Sequence, residues 1–290
     1  MFALPRLTGR LAVVLPWALL AAACSLDSNG PSGLALLADR QGGGGAGASS
    51  FAVLANAAVT CTNGTITGDV GTFQAAPTGS VTQTSCPITG TTHVGDGAAI
   101  GAFNDFLAEY EALADVPCGV VLTGTLAGVT LAPGVYCFDA AATVTGVLTL
   151  NGPANGTWSF KVGTLAPGAL TGTSFSVVMA GGGEPCNVTW LVDAAATMTD
   201  SDLKGNILAG AAITLTRGTF NGNAWSQADV TVTGTAAVGC EGGNGKDKEK
   251  EKCNQGVGNG PEGCDPGNSN HRRPSNDENG GTPGNPGRKP

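Results

Sequence analysis

Asp200 and Asp202 flank a serine, and Lys204 stands two residues further on. Carboxylates at that spacing can ligate a cation or share proton transfer with a lysine, as in lyases and hydrolases built on β-helices. Two acids in a TDSDLKG stretch read instead as a solvated turn. Asp69 in TGDVG reads as a turn aspartate that caps backbone amides. His93 and His271 have no partner visible along the chain, so no Ser-His-Asp arrangement is expected. The glycine-rich stretches lack the spacing of a phosphate loop. Cys61, Cys86, Cys118, Cys137, Cys186 and Cys240 are dispersed, with no C-x-x-C pair to suggest zinc. No catalytic residue, no metal and no cofactor is therefore expected, and the chain reads as a non-enzyme.

The side chain that recurs in register is threonine. ITLTRGTFNGNAW at Ile213–Trp225 is preceded seventeen residues earlier by ATMTDSDLKGNIL and followed seventeen later by VTVTG. Thr197, Thr214 and Thr231 are in step, as are Thr199, Thr216 and Thr233, and ATVTG adds Thr143 and Thr145. Gly205-Asn206 and Gly222-Asn223 keep the same interval. A fixed period with alternating side chains marks a stacked solenoid, in which each repeat buries its apolar side only against its neighbours. Stacked coils lie about 4.8 Å apart and alternate residues on a strand about 6.8 Å apart. Two threonine columns would then form a flat grid of hydroxyls and methyls suited to a periodic target. A structural reading stands beside it, since threonine suits the exposed face of any strand and Thr–Thr neighbours stabilise a sheet.

The elements that must hold such a grid are legible. Short β-rich runs (ATVTGVLTL, TWSFKV, FSVVMA, CNVTWLV) are broken by Gly and Asn. Alternation places Val144, Met198, Leu215 and Val232 inward and the threonines outward. In a second row Leu203 and Phe220 point in, while Asp202, Lys204, Thr219 and Asn221 point out. GNIL and GNAW supply a third row, which gives three short strands and three turns per coil. The row of Thr65, Thr67, Ser174, Ser176, Thr219 and Asn221 rivals the ladder as a binding face, although Asp202 and Lys204 interrupt it. One segment breaks the pattern. Asp96 caps a helix that Pro117 stops, with Ile100, Phe103, Leu107, Tyr110 and Ala114 forming its apolar face. That helix should cover one flank. Trp158, Trp190 and Trp225 are expected beneath it or in the core.

Composition divides the 290 residues into four segments. Residues 1–23 read as a signal peptide of lipoprotein type: Arg6 and Arg10, an apolar run, then Leu20-Ala-Ala-Ala-Cys24. Leu20 lies one place further from the cysteine than in the usual lipobox. Residues 24–50 form a Gly-rich linker, 51–240 the folded domain, and 241–290 a disordered polar tail. Lipidation of Cys24 leaves eight of nine cysteines, enough to pair fully in an oxidising compartment. Pairing in chain order is preferred, Cys61–Cys86, Cys118–Cys137, Cys186–Cys240 and Cys253–Cys264, one connectivity among many. Ser25 rather than aspartate after the cysteine points to an outer-membrane or cell-surface lipoprotein; the alternative is an ordinary signal peptide and a secreted chain. Residues 51–240 carry only Lys161, Lys204 and Arg217 as bases, which excludes the basic footprint that nucleic acid requires.

FAVLANAAVTC, ITGDVGT, LAPGVYCF, CNVTWLV with ATMT, and LKGNILAGAAITLTRGTFNG, in this order, resemble the bacterial and fungal ice-binding-like family of antifreeze proteins. The resemblance implies a mainly β fold, a right-handed, triangular, discontinuous β-helix with one long α-helix alongside. It implies that FAVLANAAVT and NGTITGDVG close the solenoid beside VTVTG. It also implies adsorption to ice and its ordered water through a flat face; the chain is expected to act as a monomer. The ladder residues Thr143, Thr145, Thr197, Thr199, Thr214, Thr216, Thr231 and Thr233 are the ones expected to do it. A surface adhesin or envelope protein using the same fold without ice is the alternative.

Overall fold

The computed structural model describes residues 48–240. The signal peptide, Cys24, most of the linker, the tail and the Cys253–Cys264 pair lie outside the described residues. A short 3-10 turn at Ala48–Ser50 leads into β1 (Phe51–Ala55), β2 (Ala58–Thr62), β3 (Thr65–Thr67), β4 (Asp69–Thr72), β5 (Ser80–Thr84) and β6 (Thr92–Val94). The helix α1 (Gly97–Ala114) follows. Then come β7 (Val120–Val121), β8 (Val129–Leu131), β9 (Gly134–Phe138), β10 (Ala142–Asn151), β11 (Trp158–Val162) and β12 (Leu170–Ala180). The last six are β13 (Val188–Val192), β14 (Ala196–Lys204), β15 (Asn206–Ala209), β16 (Ile213–Asn221), β17 (Ala224–Ser226) and β18 (Val230–Val238).

All strand pairs are parallel, in two nine-stranded sheets, as a β-helix requires. One sheet runs β5-β2-β18-β16-β14-β12-β10-β8 with β3 also on β18, the other β6-β4-β1-β17-β15-β13-β11-β9-β7. Chain order and stacking order differ. The N-terminal coils sit on the last coil, where β2 pairs with β18 and β1 with β17, so the solenoid is discontinuous. The expected closure beside VTVTG is what the strand pairing gives.

The three strands expected per coil are two pieces of chain. Ladder strand and second row form one long strand, β14, β16 or β18, bent in the middle. The bends fall on residues in left-handed backbone: Ser85, Asn63, Gly234, Arg217, Asp200, Ser174 and Gly146 from one end to the other, all at φ between 47° and 71°. One such residue per coil turns the strand without breaking the parallel ladder, and the next strand completes the triangle. At the following corner the Gly-Asn repeat acts. Asn206 Oδ1 accepts from the Asn223 amide at 3.0 Å, and Asn223 Oδ1 accepts from the Cys240 amide at 2.8 Å. A Cβ on Gly222 would stand 2.1 Å from the Gly205 carbonyl oxygen, so glycine is required where coils meet this closely.

The inward columns behave as alternation predicts: Val144, Met198, Leu215, Val232, Leu203 and Phe220 are buried. Aromatic rings stack through the middle of the core, Tyr136 on Phe160 with centroids 5.5 Å apart and Phe160 on Trp190 at 4.0 Å. Trp158 and Trp190 are wholly buried, and Trp225 lies under the helix 6.2 Å from Phe106. The disulfides Cys61–Cys86, Cys118–Cys137 and Cys186–Cys240 are formed, the pairing preferred from chain order.

The helix has a topological task. β6 and β7, which it joins, are opposite edges of the nine-stranded sheet. That sheet is about 38 Å wide at the usual strand spacing, and an 18-residue helix spans about 27 Å. Asp96 is the N-cap and its carboxylate accepts from the Ala99 amide at 2.9 Å, a bond that holds its carboxyl below the usual range. At the other end Lys161, nearly buried, donates to the carbonyls of Ala114 (2.7 Å) and Val116 (2.6 Å). Burial pushes this ammonium down from its ordinary value. The buried face of α1 is not the one expected. Ala99, Ala102, Phe103, Phe106 and Leu113 pack inward, whereas Ile100 is exposed, Leu107 half-buried and Ala114 exposed. Both sets satisfy helical spacing. The choice falls to Phe106, which fills the space between Phe103 and Trp225 where Leu107 could not. Beneath the helix Leu54, Trp225, Leu208, Leu191 and Lys161 form the outer side of a sheet buried on both faces.

Candidate functional site

With one flank under the helix, two outer faces remain, and they differ in chemistry. On the ladder face Thr143 pairs with Thr171, Thr171 with Thr197, Thr197 with Thr214, Thr214 with Thr231, Thr231 with Thr60 and Thr60 with Thr82. That is one unbroken column over seven coils. In the second column Thr173, Thr199, Thr216, Thr233, Thr62 and Thr84 are in register. Thr145 would complete it, but the register shifts between Val144 and Gly146 and interrupts the column there. Seven coils at about 4.8 Å make a surface about 29 Å long. The interior threonines are half-buried by their neighbours, while Thr82, Thr84, Thr143, Thr171 and Thr173 are exposed. No charge stands in either column.

The structure thus aligns seven of the eight threonines singled out from the sequence, leaves Thr145 out of register, and adds Thr60, Thr62, Thr82, Thr84, Thr171 and Thr173. The period of seventeen could not find these, because the intervening turns differ in length. A different signal was available. Each T-x-T is preceded two residues earlier by a small residue in six of the seven coils: Ala141, Ala169, Ala195, Ala212, Ala58 and Ser80, with Asp229 in the seventh.

The second face is mixed. Ser176, Asp202, Thr219, Ala236 and Thr65 align, and beside them stand Lys204, Asn221, Val238 and Thr67. Val147, Val178 and Val238 are exposed there. Ser174, placed in this row from the sequence, belongs instead to the left-handed corner, level with Asp200, since it is Ser176 that pairs with Asp202. Asp202 is on a strand rather than a turn. Partial burial works against its charged form, but the Thr219 hydroxyl and the Lys204 ammonium, 2.9 Å away, outweigh this and hold its carboxyl below the usual range. Asp200 is at the corner, where Arg217 of the next coil donates to both its oxygens at 2.6 and 2.8 Å. That bond holds the Asp200 carboxyl low.

Two other expectations change. His93 does have a partner: its Nδ1 lies 2.7 Å from Asp96 Oδ2, and its ring meets Phe51 edge-on at 5.2 Å. The folding of β6 onto the helix start makes this pair, which serves the cap. Asp69 does accept a backbone amide, but from Thr91 in the adjacent coil at 2.7 Å rather than from its own turn. Among the described residues no cluster of three His, Cys, Asp or Glu is placed to hold a metal ion.

A helix-flanked β-helix bearing an uncharged threonine grid is the class that fold and site define. The Ice-binding-like family model matches residues 53–238, and the chain belongs to that family. An ice-binding protein of Nostoc sp. (strain HG1) is 37% identical over 178 residues, 59% of this chain and 63% of that protein. The chain therefore spans less than two thirds of that relative's length. An ice-binding protein of Flavobacterium frigoris (strain PS1) is 29% identical over 204 residues, 64% of this chain and 72% of that protein. The crystal structure of an ice-binding protein from the Antarctic ascomycete Antarctomyces psychrotrophicus superposes with a TM-score of 0.61 at 33% identity, covering 66% of this chain and 95% of that one.

Proposed function

We propose that the chain binds ice, and that the face carrying the two threonine columns is the surface that adsorbs. The observation that carries the choice of face is the column of seven threonines in register, from Thr143 to Thr82, without a charge. Each hydroxyl can donate and accept a hydrogen bond, while each methyl restricts the water beside it. Spaced about 4.8 Å by about 6.8 Å on a rigid sheet, these groups hold water in a repeating array that can merge with a crystal plane. A fixed face loses little entropy on adsorption, so weak contacts add. Adsorbed protein then forces the ice front to grow in curved segments, which slows growth and recrystallisation. The second face offers a poorer template, because Asp202 and Lys204 carry their own hydration.

The setting follows the same reading. The three disulfides support an oxidising compartment, and the signal with Cys24 supports an exported chain anchored by lipid at the outer membrane or cell surface. The chain acts by binding, not by catalysis.

The test is recrystallisation inhibition by the chain with its disulfides formed. Activity at micromolar protein or below is expected. Replacement of Thr214 and Thr231 by tyrosine (Thr214→Tyr, Thr231→Tyr) should abolish ice shaping while leaving the melting temperature within a few degrees. Full activity in that folded double variant would reject this face.

A further inference from the structure

We infer that Asp229 limits adsorption of the threonine face, so that removing its charge strengthens ice binding; this rests on the ice-binding reading above. Two residues before the first threonine of each coil, on the same side of the strand, runs a third column along the edge of the grid. It is alanine in five coils and serine in the end coil at Ser80. Only at Asp229, in the coil whose neighbours are Thr214 on one side and Thr60 on the other, does it carry a charge.

The Asp229 side chain is exposed, and its Oδ1 accepts from the Ala58 amide at 2.9 Å. That bond crosses the junction where the N-terminal strand β2 lies on the last coil. It explains why a carboxylate can reside there, since it helps hold β2 in register beside a strand 171 residues away in sequence. It does not remove the charge from the surface. A carboxylate orients the water around it strongly and gives that shell up at high cost. Water arranged around Asp229 competes with the array that Thr231 and Thr60 would otherwise continue. Asp200 and Arg217, at the corner beyond the second threonine column, neutralise each other across adjacent coils; among the described residues Asp229 is held by the Ala58 amide, which carries no charge.

Stability and activity should therefore move independently. Asp229→Asn keeps an oxygen for the Ala58 amide and removes the charge. Asp229→Ala removes both and completes the alanine column. The experiment compares the full chain with both variants in two assays, recrystallisation inhibition and thermal unfolding. The expected result is a severalfold lower effective concentration for both variants. The melting temperature should be unchanged for Asp229→Asn and lowered by a few degrees for Asp229→Ala. Were Asp229 only a register pin, Asp229→Ala would lose activity along with stability and Asp229→Asn would match the wild type. Folded variants no more active than an active wild type overturn this inference alone. An inactive wild type with no gain in either variant overturns the ice-binding reading as well.

Discussion

Seven successive corners between the threonine limb and the second limb sit in left-handed backbone, and five of them are not glycine: Ser85, Asn63, Arg217, Asp200 and Ser174. Each carries a steric penalty of about 1 kcal/mol, smaller for Asn and Asp, whose short polar side chains bond locally. Arg217 is the least suited, and its fork on Asp200 ties the two strained corners together. Ser174 is exposed, so a substitution there has little packing to match. A β-branched residue there isolates the backbone effect. Ser174→Val should cost about 1–2 kcal/mol in denaturant unfolding. Ser174→Gly should stay within about 0.5 kcal/mol, because relief of strain is offset by the freedom gained in the unfolded chain. Equal stability for Val and Gly at this position would show that the corner conformation is not obligatory.

The helix shows what the sequence could and could not reveal about an element. Its ends were legible, since Asp96 is a cap and Pro117 a stop, and both signals are local. Its buried face was not. Phe103 and Tyr110 belong to either candidate stripe, and the decision rests on the sheet beneath, where Trp225 meets Phe106. The fit of a helix against a partner cannot be read from the helix alone. The same face leaves Glu109 half-buried one turn after Asp105. Burial first, and the Asp105 charge second, push its carboxyl up to about 7. The native state then keeps a proton between pH 4.5 and 7 that the unfolded state, with an ordinary carboxyl, has released. Stability contributed by this group is present below pH 4.5 and is lost as pH rises through 7. Glu109→Gln removes the penalty. It should gain about 2 kcal/mol at pH 8, discounted for partial exposure, and almost nothing at pH 4. Melting curves at the two pH values decide; equal gains at both would place the effect in packing rather than in charge.

At the scale of the molecule, the grid exists because the chain folds back on itself. The period of seventeen reveals three consecutive coils, β14, β16 and β18, since their turns are equal in length. It misses β12, whose turns are longer, and β2 and β5, which lie more than a hundred residues away. Only the topology sets Thr60 against Thr231 and Thr62 against Thr233. The helix makes that topology possible, because it carries the chain from one edge of the stack to the other and leaves the C-terminal coil free to receive the N-terminal one. A surface that adsorbs as one rigid sheet depends on continuity across this seam, and the weight of a threonine should follow its place in the stack rather than in the sequence. Thr60→Tyr, in a strand outside the repeat, should therefore reduce recrystallisation inhibition as strongly as Thr231→Tyr. Thr82→Tyr, in the end strand β5, should cost less, because it trims the grid without dividing it. Measured together in folded proteins, the three variants rank the coils. A loss confined to Thr231→Tyr would mean that the working surface stops at the seam and that the N-terminal coils serve only to cap the solenoid.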